Sequence, residues 1–311
     1  MDRRSALGTL AALAAIQPLA GHAQDRKAGE NGAMIARKIP SSGELLPVIG
    51  LGTWQTFDVP AGESARAPLA AVLREFVLLG GSLIDSSPMY GRAEEVAGEL
   101  MAKLSLREKL FVATKVWTSG KAAGTAQMED SLRKLRIAPA NAGKPLDLMQ
   151  VHNLLDVDTH LRTLADWKQA GRVRYVGVTH YTPSAYDAVE KVIATHTVDF
   201  LQINYSVGER EAERRLLPMA RERGIAVIIN RPFAGGELLR GLQGKPLPGF
   251  AAELDCSSWP QLLLKFVISH PGVTCAIPAT SRLEHLRDNM AAGSGRLPDE
   301  KLRMQIAASL A

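Results

Sequence analysis

Four ionisable residues stand where apolar runs end: Asp85 and Tyr90 in SLIDSSPMYG, Lys115 in LFVATKVW and His152 in DLMQVHN. Each run reads as a buried β-strand, so the four side chains are delivered to the carboxyl ends of consecutive strands, where parallel α/β proteins place their chemistry. A tyrosine beside a lysine and an aspartate is a specific arrangement. The ammonium favours the phenolate and is expected to lower a pKa that starts near ~10. The carboxylate would keep the lysine charged and fixed. Together the four residues read as a proton donor for a carbonyl oxygen.

The elements that must position them repeat along the chain. IGLGTW, SLIDSS, LFVATKVW, DLMQVHN, YVGVTHY, FLQINYS, AVIINRPF and VTCAIPA are short runs rich in Val, Ile and Leu, each followed by a stretch with charged and apolar residues at helical spacing. Continuous apolar runs of this length suit strands buried on both faces. Eight strand–helix units without a linker predict a (β/α)8 TIM barrel over residues 34–311. Ahead of them, MIARKIP, SSGE and LLPVIG read as an N-terminal β-hairpin turning near Ser42-Gly43, placed to cap the barrel bottom. A doubly wound open sheet is the rival, and it would carry a glycine-rich phosphate fingerprint after its first strand. Here Gly50-Leu51-Gly52 continues into Thr53-Trp54-Gln55, so G-x-G-x-x-G fails at its last position. A final helix, DEKLRMQIAASLA, closes the chain, and the pocket is expected to be shaped by the loops after strands one, four and seven.

The first residues read as address rather than fold. Arg3 and Arg4 precede an uncharged, alanine-rich stretch that closes on small residues near Ala23. A basic start, a short apolar run and an A-x-A-like end make residues 1–23 an export signal, and the paired arginines point to the Tat route. That reading implies the Tat export machinery as a partner, a periplasmic product with no membrane anchor after cleavage, and a folded monomer at export. Without a working signal the protein would be cytoplasmic. The formal net charge is +5, with no Lys/Arg tract, which argues against nucleic acid as a partner. Cys256 and Cys275 form neither a disulfide framework nor a metal motif and are expected as thiols.

Taken together, LIDSSPMYG, FVATKVW and LMQVHN resemble the aldo/keto reductase family, and the resemblance runs from GLGTW to IPATSRLEHLRDN. It implies hydride transfer from NADPH to the aldehyde or ketone group of a small carbonyl substrate. Tyr90 would act as general acid, Lys115 would tune it, Asp85 would pair with Lys115 and contact the cofactor ribose, and His152 would orient the carbonyl. Thr179-His180 matches a family pair, usually Ser-Asn, that binds the nicotinamide carboxamide, and Gln202 matches a glutamine near the same group. Thr53, Arg231, Thr280, Ser281, Arg282 and Asn289 complete the implied cofactor contacts. Two segments depart from the family pattern. Asn230-Arg231-Pro232-Phe233 replaces a stretch with a stacking aromatic, leaving Phe233 as the candidate for that role. Ala279 and His285 stand where some members carry lysine and arginine for a 2′-phosphate, so NADPH is expected and NADH stays open. Trp54 and Trp117 follow strands and would line the substrate pocket. Two other readings use the same residues: a nucleotide-holding regulatory barrel with vestigial activity, and a barrel enzyme forming a Schiff base on Lys115.

Overall fold

The computed structural model describes residues 32–139 and 142–310, and the export signal expected over residues 1–23 lies outside them. Short apolar runs pair first as a hairpin, β1 (Ala36–Lys38) against β2 (Leu45–Pro47), in antiparallel register. Then strands and helices alternate. β3 (Leu51–Gly52) leads to α1 (Glu63–Leu78), β4 (Leu83–Asp85) to α2 (Ala93–Lys103), and β5 (Phe111–Val116) to α3 (Lys121–Lys134). β6 (Leu146–His152) leads to α4 (Val157–Gln169), β7 (Val173–Thr179) to α5 (Tyr186–Thr195), and β8 (Phe200–Asn204) to α6 (Leu216–Glu222). β9 (Ala226–Asn230) is followed by α7 (Glu237–Gly241) and α8 (Trp259–Ser269), and β10 (Cys275–Ala276) by α9 (Leu283–Ala291) and α10 (Glu300–Ala308).

Strands β3 to β10 pair in chain order, every pair parallel. Parallel bridges from Ile49 to Ala276 and from Gly52 to Ala279 join the first strand to the last, closing the ring. This is the predicted TIM barrel, and the open sheet is excluded by the closure.

Two apolar layers hold it. The larger lies between strands and helices and includes Leu69, Val96, Val151, Leu164, Ile203 and Phe266. The smaller fills the barrel itself, where Leu83, Phe111, Leu148, Tyr175, Phe200 and Ile228 pack with Ile39 and Leu46 from the hairpin. The hairpin therefore seals the amino-terminal end, as its position in the sequence predicts. Its turn places Gly43 at φ 77°, a left-handed conformation that costs glycine little, with the Gly43 N–H donating to Ile39 O at 2.8 Å.

The sequence predicts only a Gly/Pro-rich loop between β9 and α8, yet α7 and a helical turn over Gly249–Leu254 form there. Five or six residues are too few to display a helical period, so these elements had no signal in the pattern. Cys256 and Cys275 are buried free thiols. Among the described residues, no helix is long and apolar enough to cross a membrane.

Candidate active site

Inside the barrel, alternate residues of a strand share one column, and each column changes from apolar to polar toward the carboxyl end. Leu83 is followed by Asp85, Ala113 by Lys115, Leu148 by Gln150 and His152, Phe200 by Gln202, and Ile228 by Asn230. The apolar half excludes water below, and the polar half is left to pair with itself at the mouth.

That pairing is dense. Lys115 is fully buried, and its Nζ donates to Asp85 Oδ2 at 2.6 Å and to Ser86 O at 2.7 Å. Asp85 Oδ1 accepts from Gln202 Nε2 at 2.9 Å and from Gln150 Nε2 at 3.2 Å. Gln202 Oε1 in turn accepts from Thr179 Oγ1 at 3.3 Å and from Asn230 Nδ2 at 3.4 Å. Thr53 turns its hydroxyl to Asp85 O and Ser86 Oγ, each at 3.0 Å. Room for Gln150 comes from Gly177 on the neighbouring strand, where a Cβ would fall 3.2 Å from Gln150 Cγ and 2.8 Å from Phe200 O.

Electrostatics corrects one expectation. Burial opposes charge on Lys115, but Asp85 and Tyr90 outweigh it, and the lysine pKa is raised. The Tyr90 pKa is also raised rather than lowered: burial dominates, with the opposing charge of Lys115 only moderating it. The ammonium lies 5.0 Å from the Tyr90 ring centroid. Tyr90 is therefore a protonated phenol at neutral pH, the state a proton donor requires. Lys115 is a fixed cation, which disfavours its use as an amine nucleophile, since that role needs the neutral form.

His152 sits across the mouth, its ring 6.1 Å from that of Tyr90 and 6.5 Å from that of Trp117. Burial, helped by the Lys115 charge and by His180, pushes its pKa down to about 3, so the imidazole is neutral. Its Nδ1 lies 3.2 Å from Ser87 Oγ.

These groups open onto a cavity of about 600 Å³ that runs from Tyr90 and His152 to the segment after β10. Of the residues singled out in the sequence, Thr53, Trp54, Asp85, Tyr90, Trp117, His152, Thr179, Gln202, Arg231, Thr280 and Asn289 line it, and Phe233, Ala279 and His285 join them. Lys115 lies behind Asp85, out of the wall. His180, Ser281 and Arg282 also fall outside the lining. The His180 ring stacks on Tyr181, and its Nδ1 accepts from the Tyr181 N–H at 3.0 Å. Arg282 is largely exposed, and its Nε donates to Glu284 at 2.6 Å.

The loops after the first, fourth and seventh barrel strands do shape the cavity. Each puts a non-glycine residue of the lining in the left-handed region: Gln55 at φ 59°, Asn153 at φ 53° and Arg231 at φ 49°. Such strain persists only where surrounding contacts enforce it. Sequence reasoning missed Gln150, Ser87, Met89 and Tyr181. Gln150 carries a usable signal, because it lies two residues before His152 and so shares its column. Asn153 Oδ1 beside His152, Asn230 Oδ1 at the end of β9 and Arg231 Nε just after it are buried without a hydrogen-bond partner. Helix α9 follows the segment after β10, and its N-cap residue Arg282 makes no side-chain cap.

A closed parallel barrel with an ion-paired lysine, a protonated tyrosine and a neutral histidine at its carboxyl mouth defines a TIM-barrel enzyme built for proton transfer to a bound small molecule. The model of the aldo/keto reductase family matches residues 48–308, and the chain belongs to that family. It is 31% identical over 281 residues to the methylglyoxal reductase YeaE of Escherichia coli (strain K12), covering 87% of this chain and 94% of that protein. It is 28% identical over 223 residues to the aldo-keto reductase YhdN of Bacillus subtilis (strain 168), covering 67% and 63%. Among solved structures, an aldo/keto reductase from Klebsiella pneumoniae in complex with NADP and acetate superposes with a TM-score of 0.71 at 28% identity, covering 86% of this chain and 93% of that one.

Proposed function

We propose that the protein reduces the aldehyde or ketone group of a small carbonyl compound to an alcohol, with NADPH as hydride donor and Tyr90 as general acid. The observation that carries this reading is the Asp85–Lys115–Tyr90 assembly at one end of a cavity whose lining keeps unpaired buried polar atoms. The residues present fit a dinucleotide. Asn230 Oδ1 and Arg231 Nε lack partners, the Arg231 guanidinium has no ion pair among the described residues, and the positive end of α9, which carries no N-cap side chain, would favour a phosphate. Thr179, Gln202 and Asn230 would hold the nicotinamide amide, and Arg231, Thr280 and Asn289 the phosphates. Bound there, NADPH supplies the hydride that reaches the carbonyl carbon.

The chain's own residues do the rest. Tyr90 Oη gives its proton to the carbonyl oxygen as charge develops there, and Lys115 stabilises the phenolate left behind. Asp85 holds Lys115 in place through Oδ2, while Gln150 and Gln202 hold Asp85 through Oδ1. His152, neutral and facing the cavity, orients the carbonyl. Trp54, Met89, Trp117 and Tyr181 are exposed around the mouth, which accommodates an apolar substituent on the carbonyl compound.

Tyr90→Phe keeps the ring and removes the proton. Turnover, followed as NADPH consumption with a panel of aldehydes and ketones, is expected to fall by about 10³-fold while NADPH affinity is kept. Turnover within a few-fold of the native rate would remove Tyr90 from the mechanism.

We further propose that residues 1–23 direct export by the Tat route to the periplasm, which the Arg3-Arg4 pair and the following apolar, alanine-rich stretch support. Replacing both arginines by lysine is expected to keep the full-length chain in the cytoplasmic fraction. Unchanged distribution between fractions would count against the route.

A further inference from the structure

We propose that Ser87 is a positioning residue that fixes His152 in the tautomer carrying hydrogen on Nε2, the form that donates a hydrogen bond to the substrate oxygen. The proposal rests on the carbonyl-reduction reading, in which His152 faces that oxygen.

Ser87 is fully buried in the loop after β4 and faces the end of β6. A serine hydroxyl has one hydrogen to give and two lone pairs to offer. The Met89 N–H donates to Ser87 Oγ at 3.2 Å, which takes one lone pair. For the hydroxyl hydrogen, the described residues offer a single acceptor within reach, His152 Nδ1 at 3.2 Å. The neighbouring Ser86 is bound elsewhere, its Oγ to Thr53 and its carbonyl to Lys115, and does not compete.

The opposite arrangement has Nδ1–H donating to Ser87 Oγ. It would leave the serine hydrogen buried without an acceptor, which is the costlier state. A neutral imidazole carries one ring hydrogen, and the nitrogen that holds it is set by the bond the other nitrogen makes. With Nδ1 accepting from Ser87, the hydrogen falls on Nε2. No described residue pairs with Nε2, and His152 lines the cavity. The sequence Asp85-Ser86-Ser87 thus serves two partners: the carboxylate holds Lys115, the Ser86 carbonyl shares that lysine, and the Ser87 hydroxyl orients His152.

Proton–nitrogen correlation spectra of the full chain with isotope-labelled histidine read the tautomer directly, and a His152→Gln sample assigns the signal. The native protein is expected to show hydrogen on Nε2 and a bare Nδ1 at neutral pH. In Ser87→Ala the signal is expected to shift toward a mixture of tautomers. The kcat should drop about tenfold with NADPH affinity unchanged, and Ser87→Thr, which restores the hydroxyl, should recover both. Hydrogen on Nδ1 in the native protein would overturn the proposal without any variant, and so would Ser87→Ala with native kcat and native spectrum. A native protein with the expected tautomer but no carbonyl reduction would instead overturn the functional reading on which the proposal rests.

Discussion

The two ends of the cavity are built differently. At the end formed by β4, β5 and β6, side chains satisfy one another: Asp85 accepts from Lys115, Gln150 and Gln202, and Ser87 engages His152. At the end formed by the segments after β9 and β10, Arg231 Nε is buried without a partner, and no side chain of the N-cap residue Arg282 caps α9. At the first end the charged and amide groups around Asp85 are organised by the chain alone, with Asn153 Oδ1 beside His152 left unpaired. The second waits for polar atoms that a ligand must bring. Preorganisation suits the reacting end, where groups must already point at developing charge. Unpaired donors suit the binding end, where the ligand itself completes the hydrogen bonds.

The comparison breaks most visibly at Lys115. Lys115→Met removes the cation beside Tyr90 and leaves Asp85 buried without its counter-charge. We expect kcat to fall by about 10³-fold or more, and stability in urea to fall by about 3–5 kcal/mol, the usual cost of breaking one side of a buried pair. Adding Asp85→Asn should return much of the stability and none of the rate. If Lys115→Met keeps its stability, the reacting end does not depend on that pair, and the contrast between the two ends loses its basis.

The same contrast explains what the sequence made legible. Asp85, Lys115 and His152 could be identified because strand ends are marked by the stop of an apolar run, and the barrel followed from eight such runs. Gln150 escaped because it lies inside the run LMQVH, where a continuous stretch of apolar residues hides the alternation of a strand buried on both faces. Ser87 escaped because its role depends on two hydrogen bonds, one from a backbone amide, that no residue pattern announces. The direction of the Tyr90 pKa was misjudged for a related reason. The charge of Lys115 is visible in the sequence, while the burial that outweighs it is a property of the packed mouth. At the binding end, Thr280 and Asn289 line the cavity as the sequence implied, but Ser281 and Arg282 do not. A residue that opens a helix can turn its side chain outward while its backbone stays in place, and residue type alone does not distinguish the two.

The two arginines at the binding end carry the finer prediction. Arg231 has its Nε buried and unpaired, stands in a left-handed conformation enforced by its loop, and lines the cavity. Arg282 lies outside the lining, is largely exposed and is paired with Glu284. A half-buried guanidinium whose Nε is already out of water gains charge-assisted hydrogen bonds when a phosphate arrives, whereas an exposed one would first have to leave its carboxylate and would act through water. Arg231→Gln, which keeps side-chain length and asks nothing new of the backbone, should therefore weaken NADPH binding by about 10- to 100-fold. Arg282→Gln should change it by less than about threefold, in line with the small worth of exposed ion pairs. Titration of tyrosine and tryptophan fluorescence with NADPH measures both, and kcat at saturating cofactor should stay near native in each. If Arg282→Gln proves the more damaging, the phosphate end must rearrange on binding to draw that side chain in, and the division into a finished end and a waiting end would then extend to the fold of the α9 entry itself.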